Sequence, residues 1–146
     1  LEMLWYRGSH LLPPVRARRT GVVATLDAIC AVSEEALGRC SPSAAAHVLH
    51  SLAHCRLEGR GPWTSLGESA QRRLLGGGCT CLLPDELART AWALARRAAA
   101  NGPPPTTLLD ELAAEAAARS AELSGKDVAI LAWSYAQLGA VGEGTA

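Results

Sequence analysis

The sequence predicts an all-α protein, an α-solenoid of about three stacked helix-turn-helix repeats of roughly 40 residues each. Three observations predict it. The first is a near-repetition. Leu87-Ala88-Arg89-Thr90-Ala91-Trp92-Ala93-Leu94-Ala95 and Val128-Ala129-Ile130-Leu131-Ala132-Trp133-Ser134-Tyr135-Ala136 share one pattern, with their tryptophans 41 residues apart. A third copy, Ala45-Ala46-His47-Val48-Leu49-His50-Ser51-Leu52-Ala53, lies 42 residues before the first and has His50 in the place of tryptophan. The second is composition. There is no Phe and there are few β-branched residues, so strands have little to be built from. The chain is rich in Ala, Leu, Arg and Gly; Ala and Leu are the best helix formers, with Arg and Glu close behind. The third is punctuation, because Pro, Gly and Ser divide the chain into helix-length pieces.

The 146 residues suffice for one domain. Residues 1–20 read as an irregular N-terminal segment. In it, Leu4-Trp5-Tyr6-Arg7-Gly8 fits the end of a preceding repeat, and Pro13-Pro14 then breaks the chain. Three hairpins follow within residues 21–140, namely 21–57, 63–100 and 106–139, each made of an A helix and a B helix. Residues 141–146 form a tail. The first A helix runs from about Gly21 to Leu37, apolar at Val22, Val23, Leu26, Ile29, Cys30 and Val32, and stops at Gly38. Ser41 caps the first B helix, with Pro42 in the favoured first position. The second A helix runs from Trp63 to Leu75 and is ended by Gly76-Gly77-Gly78.

Pro84-Asp85-Glu86 opens the helix that carries Trp92, and Asn101-Gly102 closes it ahead of the stiff Pro103-Pro104-Pro105. Thr106 or Thr107 caps a long Ala-rich helix through about Glu122. Ser124 caps the last helix, and the Ser124/Asp127 pair has the spacing of a capping box with Asp in place of Glu. In that helix Val128, Leu131, Ala132, Tyr135 and Leu138 form one apolar stripe, and Ala129, Trp133 and Ala136 form a second beside it. So wide an apolar arc has to be covered on more than one side. One side is expected to meet its own A helix and the other the next hairpin, with Trp92 and Trp133 filling the gaps between hairpins.

Formal charge is balanced, 14 basic against 14 acidic residues. This argues against a generic nucleic-acid-binding glove, though it leaves room for a local basic stripe. Lys126 is the one lysine beside 13 arginines. Codon composition explains that bias most simply, and Arg also suits bidentate contacts with phosphates. The five cysteines, Cys30, Cys40, Cys55, Cys79 and Cys81, are odd in number and follow no secretory signal, which fits reduced thiols inside a cell or an organelle matrix. No apolar run is long enough for a membrane span. The chain opens at Leu1 and closes on Gly142-Glu143-Gly144-Thr145-Ala146, as a processed or partial product would. Arg16, Arg18 and Arg19 faintly suggest an organelle presequence, against the plainer reading of a surface basic patch.

These repeats resemble the octotricopeptide repeat family of green algal organelle proteins. The resemblance lies in the lead-in Pro103-Pro104-Pro105 and the helix starts Leu82-Leu83-Pro84-Asp85-Glu86-Leu87-Ala88 and Leu123-Ser124-Gly125-Lys126-Asp127-Val128-Ala129. It continues in the endings Ala91-Trp92-Ala93-Leu94-Ala95 and Ala132-Trp133-Ser134-Tyr135-Ala136-Gln137-Leu138-Gly139. Gly61-Pro62-Trp63 matches the family lead-in in part, and His50 departs from it. The match covers residues 40–140 well and 1–39 poorly. The resemblance implies a nuclear-encoded protein of the mitochondrial matrix or chloroplast stroma that binds RNA, either ribosomal RNA or an organelle transcript. It further implies an accessory subunit of a ribonucleoprotein such as the organelle ribosome, beside neighbouring proteins of a large complex, or a factor in RNA maturation or translation. The alternative reading is a protein-protein scaffold of α-solenoid type.

Aligning the B helices places His47, Arg89 and Ile130 in one column, Ser51, Ala93 and Ser134 in a second, and His54, Arg96 and Gln137 in a third. The columns are spaced i, i+4, i+7 and so share one face. A modular RNA reader presents such a face, one set of side chains per repeat; an ordinary solvated helix does too. Arg56, Arg60, Arg72 and Arg73 flank it as candidate phosphate contacts. The candidate RNA-binding set is therefore His47, Ser51, His54, Arg56, Arg60, Arg72, Arg73, Arg89, Arg96, Ser134 and Gln137. The tryptophans read mainly as packing residues.

No metal or other cofactor is expected. His50 and His54 have a chelating spacing but lack the accompanying Glu of a metalloprotease helix, and Cys79-Thr80-Cys81 is not a zinc-knuckle spacing. Gly76-Gly77-Gly78 lacks the Lys-Ser/Thr of a phosphate loop. Asp110, Glu111 and Glu115 complement a helix dipole. No nucleophile, base and oxyanion set appears, so no enzyme is expected.

Overall fold

The structure, a computed structural model, describes residues 28, 33–56 and 61–143, without the side chains at 62 and 140–143. Among the described residues the chain is helix and turn, with no strand. The irregular segment 1–20, most of the first A helix, and Arg60 lie outside them; residues 33–37 form the helical turn expected at that helix's end. The five longer helices are α1 (Pro42–His54), α2 (Pro62–Leu74), α3 (Pro84–Asn101), α4 (Thr106–Ala118) and α5 (Gly125–Glu143). Short 3₁₀ turns at Gly78–Cys81 and Ser120–Glu122 precede α3 and α5.

Local chemistry explains where these helices start and stop. Proline occupies a first position of α1, α2 and α3, where its missing N–H costs nothing. The Ser41 hydroxyl accepts the Ala44 amide at 3.2 Å. At α5 the Ser124 hydroxyl accepts the Asp127 amide at 3.1 Å, and the Asp127 carboxylate accepts the Ser124 amide at 3.1 Å, so the expected capping box forms. The start of α3 has half of that device, with Glu86 accepting the Leu83 amide at 3.0 Å. Gly76 and Gly77, at φ 74° and 98°, turn the chain out of α2, and Gly102, at φ 82°, turns it out of α3.

Helix α3 lies at the centre, between α1 on one side and α5 on the other. The core joins all five helices through Leu49, Leu74, Leu82, Leu87, Leu94, Leu108 and Leu112, each essentially fully buried, with Leu131 of α5 at 9% exposure. Ala45, Ala53, Ala88, Ala91 and Ala93 are also fully buried, and these small side chains let the helices approach closely.

For the second and third A helices, the expected pairing with the B helix after each is not the closest one. Helix α2 lies closer to α1 than to α3, and α4 lies against α3 rather than α5. The reason at α2 is a side chain. The guanidinium of buried Arg97 on α3 fills the space beside Gly67, where a Cβ would meet its Nη1 at 2.1 Å, and it keeps the α2 and α3 backbones apart. Helix α4 is likewise tied to what precedes it. Glu111 accepts the amides of Gly76 and Gly77 at 3.3 and 3.2 Å, and Arg119 donates to the Leu82 carbonyl. Tyr135 of α5 returns to α4, its hydroxyl donating to the Leu109 carbonyl at 2.7 Å; burial pushes that phenol up to about 12.

Candidate nucleic-acid interface

Helices α1, α3 and α5 each turn one side outward, and the side chains there form a continuous surface. On α3 the outward side carries Arg89, Trp92 and Arg96, spaced three and four residues apart. Trp92 is half-buried. Its ring centroid lies 5.3 Å from that of His50 and 6.5 Å from that of His54 on α1. The His50 and His54 rings themselves stack at 5.9 Å. The Arg96 guanidinium sits 5.7 Å above the indole, within cation–π range.

On its other side Trp92 faces α5. With Ala129, Ile130, Trp133 and Lys126 it lines a shallow, mostly apolar groove of about 300 Å³. Trp133 is 43% exposed. A neighbouring groove of about 370 Å³ shares Trp92, Ile130 and Lys126 and extends to Arg89, Asp85 and Asp127. Aromatic rings and cations therefore alternate from α1 to α5, the combination that lets a strand stack its bases and neutralise its phosphates.

Part of this surface is acidic. Asp85 pairs with Arg89 at 3.4 Å. Glu86, on the inner side of α3, joins α3 to α1 by accepting the Ser43 hydroxyl and pairing with His47 at 3.5 Å. Burial pushes the Glu86 carboxyl up, but the Ser43 and Leu83 hydrogen bonds and the charges of His47 and Arg89 outweigh it. The group stays below the usual glutamate range.

The predicted residues divide unevenly. His47, Ser51, His54, Arg89 and Gln137 are exposed, and Arg96 is half-exposed on the tryptophan. Ser134 is a correction: it is fully buried, with its hydroxyl turned back to the Ile130 carbonyl at 2.6 Å. Ala93, in the same column, is fully buried as well. The outward arc is centred on position 92, so the column of Ser51, Ala93 and Ser134 lies at its edge and passes inward along the stack.

Arg73 is engaged elsewhere. Its Nε donates to the Cys40 carbonyl at 2.7 Å and ties α2 to the turn before α1. Arg72, on α2, donates to Ser69 at 2.8 Å. Neither lines the grooves. Arg56 is exposed just past the end of α1, at φ 55°.

The aromatic and basic side chains that line the grooves outside the predicted set are His50, Trp92, Lys126 and Trp133. The available signal was spacing. Trp92 falls three residues after Arg89 and four before Arg96, squarely between two side chains already assigned to the outward face.

Among the described residues no cluster of His, Cys, Asp or Glu is arranged to hold a metal ion. No described helix is long and apolar enough to cross a membrane. No protein-family profile, curated protein or solved structure matches this chain.

Proposed function

We propose that the chain is a non-enzymatic RNA-binding protein whose outward α1–α3–α5 face holds single-stranded RNA. The observation that carries this reading is Trp92, flanked by His50 and by the Trp133 groove and bordered by Arg89, Arg96 and Lys126. In this reading α1, α3 and α5 are successive B helices of a solenoid, each contributing one row to the face. The recurrence of the caps and the 41- to 42-residue register support that. The resemblance to octotricopeptide repeat proteins supports an organelle setting, as a subunit of a ribonucleoprotein such as the mitochondrial or chloroplast ribosome. Near-zero net charge favours a docked subunit over an autonomous reader.

The test is fluorescence anisotropy with a short single-stranded RNA at 50 and 200 mM salt. Three cations on a single strand predict a log–log salt slope of about −2, or roughly a tenfold to twentyfold loss of affinity between the two conditions. The Arg89→Ala/Arg96→Ala double variant should flatten that slope. No binding at low salt, or binding indifferent to both arginines, overturns the reading in favour of a protein scaffold.

A further inference from the structure

The larger groove beside Trp92, about 370 Å³, has the volume of a small-molecule pocket. Trp92 on α3 and Ile130 on α5 give it apolar walls suited to a flat ring. Its cations and acids are matched, Arg89 and Lys126 against Asp85 and Asp127. A phosphate in that space meets two carboxylates as well as two cations. A neutral ring with hydrogen-bonding groups along one edge meets no such conflict. The two acids differ in what they have left to give. Asp127 is 9% exposed, and its Oδ2 accepts both the amide and the hydroxyl of Ser124, at 3.1 and 2.8 Å. Asp85 is held more loosely. Its Oδ2 lies 3.4 Å from Arg89 Nη2, beyond the roughly 2.7–2.9 Å of a charge-assisted hydrogen bond, and both side chains are about half exposed. The pair therefore keeps guanidinium donors and carboxylate lone pairs side by side for a third group.

We infer that this groove takes one guanine base of the bound strand, stacked on Trp92 and read by Arg89 and Asp85. The inference rests on the RNA-binding reading and names the base at its centre. The Watson–Crick edge of guanine runs acceptor, donor, donor: the O6 carbonyl, the N1–H and the N2 amino group. Arg89 and Asp85 supply the complement in that order, the guanidinium donating to the carbonyl and the carboxylate accepting from the two N–H groups. Cytosine runs donor, acceptor, acceptor and opposes the pair at every position. Adenine offers its amino group beside an acceptor nitrogen. Uracil sets its one N–H between two carbonyls, so the second carboxylate oxygen faces an acceptor. Arg89 has five N–H donors, and reading the base leaves others for the adjoining phosphate.

The test is fluorescence anisotropy at 50 mM salt with short uridine tracts that carry one central G, A or C. The G tract should bind about tenfold more tightly than the other two, the scale of a bidentate base contact. Inosine in place of that guanine keeps the carbonyl and the N1–H but lacks the amino group, and should lose about threefold. Asp85→Asn replaces one acceptor with a donor and should bring the G and A tracts close to equal affinity, while the helical circular dichroism stays that of the parent. Equal binding of the three tracts, or a preference for another base, overturns the inference and leaves RNA binding standing. So does a G preference that Asp85→Asn leaves undiminished or that inosine satisfies in full. Binding to none of the tracts overturns the RNA reading and this inference with it.

Discussion

Helices α3 and α5 share a pattern of alanines around one tryptophan and lead different lives. α3 is buried on two sides, and of its residues 86–98 Arg89 alone is exposed, with Trp92 and Arg96 half-buried. α5 is buried on one side and leaves Val128, Ala129, Ala132, Trp133 and Ala136 in contact with solvent. The local sequence sets the helix, the cap and the apolar arc in both. The number of neighbours sets what each arc is worth. An alanine at the same register position is thus a core residue in one helix and a surface residue in the other.

The sharpest way to break this comparison is one substitution made twice. Ala91 is fully buried and Ala132 is exposed. Ala91→Arg forces a long charged side chain into close packing and should cost about 4 kcal/mol or more, enough to unfold a marginal domain. Ala132→Arg should stay within about 0.5 kcal/mol of the parent, since Arg is nearly as good a helix former as Ala. Chemical denaturation monitored by circular dichroism measures both. Equal effects would mean that the two helices are equally covered and that the contrast is false.

A second contrast lies where the A helices meet them. Gly67 against Arg97, between α2 and α3, corresponds in register to Leu109 against Leu138, which pack together between α4 and α5. One junction joins the smallest residue to one of the longest; the other joins two leucines. Gly67→Ala should cost about 1–3 kcal/mol, because a Cβ at 2.1 Å from the guanidinium displaces a buried side chain. Arg97→Met shortens the intruding group and should recover part of that loss in the double variant. An additive double mutant would show that the two residues do not touch.

These junctions mark where local sequence signals run out. Helix order and ends were legible because their determinants are local: Ser41 and Ser124 with Asp127 at starts, Pro at first turns, Gly76, Gly77 and Gly102 at ends. Partner choice is not local. Nothing in the run around Arg97 says that its guanidinium lies against Gly67 of the preceding helix, nor that Arg73 spends its donor on Cys40, 33 residues earlier. The outward face was half legible. Arg89 and Arg96 point to it by helical spacing, but its centre depends on which neighbours cover the arc, and that moved Ser134 inside and both indoles towards the surface.

The starts of α3 and α5 also differ in their acids. Glu86 bridges to α1, whereas Asp127 closes a box with Ser124 in its own helix. Folded Glu86 lies below its ordinary pKa. The ionised carboxylate therefore favours the folded state above about pH 4.3, the unfolded glutamate value, and that contribution is lost as pH falls through the lower folded value. A melting series from pH 6 to pH 3 should show a steeper acid decline in the parent than in Glu86→Gln, which starts lower and changes less. Parallel declines would mean that the bridge to α1 carries no pH-linked stability.

The indoles give a last contrast, and there the comparison bears on function. Trp92 touches α1 and α5 at once, while Trp133 has one wall of a groove and solvent beyond it. Trp92→Leu should cost about 1–2 kcal/mol, less than the 3–5 kcal/mol typical of truncating a fully buried tryptophan to alanine, and Trp133→Leu under about 1 kcal/mol. Their effects on RNA affinity should be closer to equal, because a base needs an aromatic face and gains about 1–3 kcal/mol from stacking on one, whether or not that ring also holds the fold together. A Trp133→Leu protein that folds normally and loses roughly tenfold in affinity would separate the two roles. If affinity fell only when stability fell, the indoles would be packing residues whose exposure on α5 reflects a missing neighbour, and the surface they form would belong to a protein partner.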